Sequence, residues 1–215
     1  MRPAAAVVNS CISFDIIAHA GGCAAGALCL LAMKEISNIH AFEDEWFLRR
    51  VLRWSGAVAV AGAVLGIVLF GFCGVPVELF DGGSVLVWLL GLAAASVVAF
   101  ALHEGVHAVF FKLFAPAGAH VTFGVNWDTA MIYACAEGIV YTRGQYLVVS
   151  IAPTVLVTAL LACVGVAGGY ALACYLVAVL HLTGCTGDWA YCARILGDRR
   201  IRHCEDTSWG VRFLD

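Results

Sequence analysis

His103-Glu104-Gly105-Val106-His107 sets two imidazoles four residues apart, with a carboxylate beside the first. On a helix, positions i and i+4 share a face, so both rings can reach one metal ion while Glu104 stands next to a water bound to it. A zinc ion held this way lowers the pKa of its bound water towards ~7, and the carboxylate takes the proton, leaving a hydroxide able to attack a carbonyl. Seven histidines and seven glutamates in 215 residues give about 0.007 random H-E-x-x-H matches per chain, so coincidence is a poor explanation. A purely structural polar cluster would have to place three ionisable groups in an otherwise apolar helix, at a few kcal/mol each.

A catalytic zinc site usually has three protein ligands and one open position, so a third ligand must come from another segment. Depth selects the candidates. His103 lies nineteen residues into the second long apolar segment and Asp188 seventeen into the fourth, which at 1.5 Å per residue is ~28 and ~26 Å from the same side. Asp188 can therefore meet the histidine pair. His181, seven residues earlier on the same helix face, lies about 10 Å nearer the outer side and is an alternative ligand or a cavity-lining residue. Ser150 and Thr154, beside Pro153, could line a polar track for substrate, as could Asn126 in a strand-like insert.

The elements that must position these residues are apolar. Hydrophobic residues make up 62% of the chain and charged ones 13%, too little polar surface to cover a soluble fold. Four segments are long enough to cross a bilayer as helices, residues 55–74, 84–111, 146–168 and 171–191. The first carries Gly62-x-x-x-Gly66 and the second carries Gly91, Ala95 and Ala99, small-residue faces that predict close packing of these two helices. Residues 11–33 are a fifth candidate span, interrupted by Asp15 and His19. The expected fold is an all-α integral membrane bundle of four helices, or five with that segment, and a small β-hairpin between the second and third spans. Val121, Phe123, Val125 and Trp127 alternate with polar or small residues there, the period of a strand. The predicted organisation is an N-terminal segment 1–45, a membrane zinc peptidase domain 46–206 and a tail 207–215.

Arginine and lysine flank the spans on one side only: Arg49, Arg50 and Arg53, then Lys112 and Arg143, then Arg194, Arg199, Arg200 and Arg202. Cytoplasmic loops retain such residues, so this side, with the C-terminus, is expected to be cytoplasmic. The formal charge of −3 without a basic stripe argues against a nucleic-acid partner. The partners expected instead are the lipid bilayer and a membrane-protein or peptide substrate; oligomeric state is left open. Ten scattered cysteines with no C-x-x-C pair read as reduced packing residues.

The HExxH helix, the strand-like insert, Ala152-Pro153 opening the next span and Gly187-Asp188 ending the last resemble a family of small bacterial membrane proteins, the putative zincin peptidases, related to the site-2-protease class of intramembrane metalloproteases. The likeness covers roughly residues 46–206. It implies a bacterial cell-membrane enzyme with Zn²⁺ as cofactor, His103, His107 and Asp188 as ligands, Glu104 as base, and cleavage at or within the bilayer. Site-2 proteases show Asp followed by Gly at the third ligand, whereas Thr186-Gly187-Asp188-Trp189 stands here. The competing reading is a non-enzymatic polytopic membrane protein with a structural or transported metal. Glu104 speaks against it, since a carrier needs ligands but no base beside them.

Overall fold

A computed structural model describes residues 10–13, 33–77, 84–117, 119–126 and 131–215. Five helices dominate. Helix α1 (Glu45–Gly66) starts where the Asp44 side chain accepts from the backbone N–H groups of Trp46 and Phe47, and it runs on as a π-helical stretch, Ile67–Phe72. Helix α2 (Val85–Phe114) follows an N-cap serine, Ser84. Helix α3 (Arg143–Gly168) opens with a reciprocal cap between Thr142 and Gln145 and ends at Gly169, whose φ of 73° suits a residue without a side chain. Helices α4 (Ala171–Gly184) and α5 (Thr186–Gly197) meet at a 44° bend.

Three of these rods are long and apolar enough to cross a membrane, and the bent α4–α5 pair passes the same test when its two helices are taken together. Residues 171–191, expected from sequence as one helical span, are thus broken in two. At the bend, side chains enter the backbone ladder: the Thr183 carbonyl accepts from the hydroxyls of Ser55 at 2.8 Å and Thr186 at 2.9 Å. Beside it, Gly184 packs against Phe100 so closely that a Cβ would meet the ring edge at 2.5 Å.

The small-residue face of α1 also finds a different partner from the one expected. Gly62 and Gly66 lie against Val179 and Tyr175 of α4, where a Cβ on Gly62 would come within 2.6 Å of Val179, and the Tyr175 hydroxyl donates to the Gly62 carbonyl. Ala99 of α2 is buried among Val157 of α3 and Val177 of α4.

Two antiparallel sheets join the helices. In one, β1 (Ser10–Ser13), β3 (Thr122–Asn126) and β4 (Met131–Cys135) lie in the order β1-β3-β4, with Phe123 opposite Ala134. The β3–β4 pair is the hairpin that the alternation predicted; its connection, 127–130, lies outside the described residues. Strand β1 takes up residues 11–13 of the candidate N-terminal span, and residues 14–32 of that span lie outside the described residues.

The second sheet was not foreseen. Strands β2 (Glu35–His40), β5 (Val140–Thr142), β6 (His203–Thr207) and β7 (Gly210–Leu214) run in the order β2-β7-β6-β5, so residues expected as a tail pair with residues 35–40. The fold is therefore mostly helical with two small sheets, not all-α. The main buried core sits where this sheet meets the helix ends: Phe213, Val211 and Ile39 from the strands pack with Phe47, Phe111, Tyr146 and Ile195 from the helices. That core anchors the ends of α1, α2, α3 and α5 that surround His107.

Candidate metal centre

The α2 side chains at i and i+4 project together, as the helix period requires, and both are buried. His103 Nε2 and His107 Nε2 are 3.0 Å apart. Asp188, in the first turn of α5, places Oδ2 3.2 Å from His103 Nε2 and 3.5 Å from His107 Nε2. A tetrahedral zinc with bonds of about 2.05 Å separates neighbouring donors by ~3.3 Å, so the triangle formed by these three atoms has the size the ion needs. Two neutral imidazoles and one carboxylate also match the ligand chemistry of zinc, and leave a fourth position for water or substrate.

Each histidine has its second nitrogen engaged. His107 Nδ1 lies 3.1 Å from the Val149 carbonyl. A carbonyl only accepts, so Nδ1 carries the proton and Nε2 presents its lone pair to the metal position. Val149 can serve because its usual helical donor would be the N–H four residues on, at Pro153, which has none. The proline inside α3 thus frees the acceptor that orients His107.

His103 Nδ1 lies 3.1 Å from His181 Nε2. The i, i+7 relation between His181 and Asp188 now has a clear meaning. Both flank the same imidazole, His181 at one nitrogen and Asp188 at the other, with the α4–α5 bend between them. Residue counting places His181 about 10 Å nearer the outer side than Asp188, and in the structure it lies at the Nδ1 side of His103. Cys185, read from sequence as one more packing residue, joins this side, with Sγ 3.7 Å from His103 Nδ1.

Glu104 is half-buried and its Oε2 accepts from the Ala134 backbone N–H at 2.8 Å, which ties the carboxylate to β4. Glu104, both α2 histidines and Asp188 line one cavity of about 230 Å³. Tyr133 and Ala134 of β4 line it as well, with Thr207, Ser208 and Gly210 at the β6–β7 turn. Ser150 faces this cavity and is buried. Thr154 is not on it; its hydroxyl accepts from Trp189 Nε1 at 3.0 Å, which braces α3 against α5. Asn126 ends β3, and its side chain lies outside the described residues.

Asp206 of β6 belongs to the same cavity and had no signal in the sequence, being a single carboxylate outside any motif. Its Oδ1 accepts from the Tyr146 hydroxyl at 2.7 Å. Burial pushes the Asp206 carboxyl up to about 7, while the Tyr146 hydrogen bond and the His107 charge pull the other way. A carboxyl whose pKa is higher in the fold than in the unfolded chain favours folding most below about pH 4, and that contribution is lost as the pH rises to about 7. With the metal chelated, Asp206→Asn should therefore gain melting temperature relative to wild type as the pH is raised over that window. A difference that stays flat with pH would show that the carboxyl titrates normally.

A pair of histidines and a facing carboxylate, with a glutamate beside them, is the arrangement of zincin-type centres. The family comparison agrees: residues 96–200 match the model of a family described as putative zincin peptidase, a stretch that runs from α2 to the loop after α5 and holds all three candidate ligands and Glu104. Such a family points to a zinc metallopeptidase. Comparison with curated proteins and with solved structures returned no match.

Proposed function

We propose that this chain is a membrane-embedded zinc metallopeptidase of the site-2-protease type, cutting peptide bonds at or within the bilayer near the cytoplasmic face. The observation that carries the reading is the convergence of His103 Nε2, His107 Nε2 and Asp188 Oδ2 at zinc-ligand separations, with Glu104 on the same cavity. The membrane part rests on the surface of the helices. Leu52 on α1, Phe72 on its π-helical continuation, Val87 and Val97 on α2 and Val166 on α3 are all exposed, an apolar exterior that water would not tolerate and lipid would. Arg50 stacks over the rings of Trp46 and Trp54 at 5.1 and 4.7 Å, a pairing suited to the headgroup region.

Bound zinc would supply a Lewis acid and an acidified water. The protein's own residues do the rest. The Val149 carbonyl holds His107 in the tautomer that presents Nε2, and His181 Nε2 stands at Nδ1 of His103, leaving His103 Nε2 on the Asp188 side. Glu104 takes the proton of the attacking water and hands it to the amine that leaves, so water and a peptide bond become a carboxylic acid and an amine. The Ala134 N–H keeps that carboxylate in place.

Strand β4 ends its sheet, and Ala134 turns its N–H away from β3 towards Glu104. An extended substrate segment laid along this edge would pass the base with main-chain hydrogen bonds that tolerate varied side chains. The test is the purified protein in liposomes. Zinc should be bound tightly, and a chelator should remove both zinc and the cleavage of a reconstituted membrane peptide, with both restored by zinc. A folded protein that stays metal-free in zinc-replete medium would overturn the reading.

A further inference from the structure

The imidazole of His103 has donors gathered at both nitrogens. On the Nδ1 side, His181 Nε2 is 3.1 Å away and Cys185 Sγ is 3.7 Å away, and those two atoms are 3.6 Å from each other. All three side chains are buried. A tetrahedral cation with bonds of about 2.05 Å to nitrogen and about 2.3 Å to thiolate sulfur sets edges of ~3.3 Å between nitrogens and ~3.6 Å between nitrogen and sulfur. The observed triangle has these dimensions. A hydrogen bond from His103 to His181 accounts for the first distance, but it does not require a thiol equidistant from both rings.

We propose that His103, His181 and Cys185 form a second cation site, sharing His103 with the first and selective for a borderline divalent transition metal such as zinc or cobalt. Imidazole and thiolate together favour such ions over magnesium or calcium. When the first site is filled through Nε2, His103 carries its proton on Nδ1; the second cation displaces that proton and the one on Cys185, and both go to solvent. Imidazolate and thiolate then neutralise the added charge, so the buried site gains no net charge. His181 keeps its Nδ1 proton and offers the Nε2 lone pair that already faces His103.

The bend after Gly184 builds this site. It sets Cys185 between the helix carrying His181 and the helix carrying Asp188, so one histidine of α2 can face two ligand pairs. The inference stands on these three side chains and does not depend on the peptidase reading, which fails separately if no peptide is cut.

Cobalt titration of the chelator-treated, detergent-purified protein tests it, because thiolate bound to cobalt(II) absorbs intensely in the near ultraviolet and imidazole or carboxylate does not. Wild type should bind two equivalents, and the thiolate band should grow only with the second. Cys185→Ser, which preserves size, and Cys185→Ala should each bind one equivalent with no band, whereas Cys163→Ala, removing an exposed thiol elsewhere, should behave as wild type. Saturation at one equivalent, a band complete with the first equivalent, or a band that survives in both Cys185 variants would each overturn the proposal.

Discussion

Glu104→Gln should leave zinc in place and lower peptide cleavage by about 10²–10⁴-fold, the usual worth of a positioned general base. The amide has the size of the carboxylate and its oxygen can still accept the Ala134 N–H, so the tie to β4 survives. What it loses is the ability to take a proton from water. Zinc content and the turnover of a reconstituted membrane peptide, measured on the same preparation, separate the two properties. Cleavage that persists at wild-type rate would remove Glu104 from its assigned role, and loss of zinc would make it a ligand.

Asp188→Ala should act on the metal itself. It removes one of three donors, the only anionic one among them, so zinc affinity should fall by more than the 10–100-fold typical of losing an outer hydrogen-bond partner. His181→Ala supplies that comparison, since His181 touches the nitrogen of His103 opposite Asp188. Competition with a chelator of known affinity ranks the two variants. If Asp188→Ala retains full affinity while His181→Ala loses it, the first cation lies on the Nδ1 side of His103 and the assignment of the third ligand is reversed.

The parts of the site that could be read from sequence are those set by a local rule. The histidine pair follows from helix periodicity within five residues, and the β3–β4 hairpin from alternation. Asp188 could be approached by counting residues along the second and fourth apolar segments, because the rise per residue is fixed, although the count runs through the α4–α5 bend. The bend at Cys185 could not be reached this way. There Ser55, more than a hundred residues distant, supplies a hydroxyl to the Thr183 carbonyl, and no pattern around Thr183 announces that. The placement of Cys185 beside His103 was hidden for the same reason.

The four-stranded sheet escaped notice because its strands are short and β2 pairs with β7 from the opposite end of the chain. Its consequence for the site is Asp206, which arrives at the cavity only once β6 is in register with β5 and β7. Hydropathy reported the apolar helices well and said nothing about these few polar residues from which the cavity floor is made.

The orientation of His107 by the Val149 carbonyl places an unusual constraint on mutation. Any side chain at 149 leaves the acceptor intact, because the acceptor belongs to the main chain. The vulnerable position is 153, four residues away. Every replacement for proline there introduces an N–H aimed at the same carbonyl, in competition with the imidazole. A substitution that would ordinarily strengthen a helix by about 3 kcal/mol is, at this one place, a substitution against the metal.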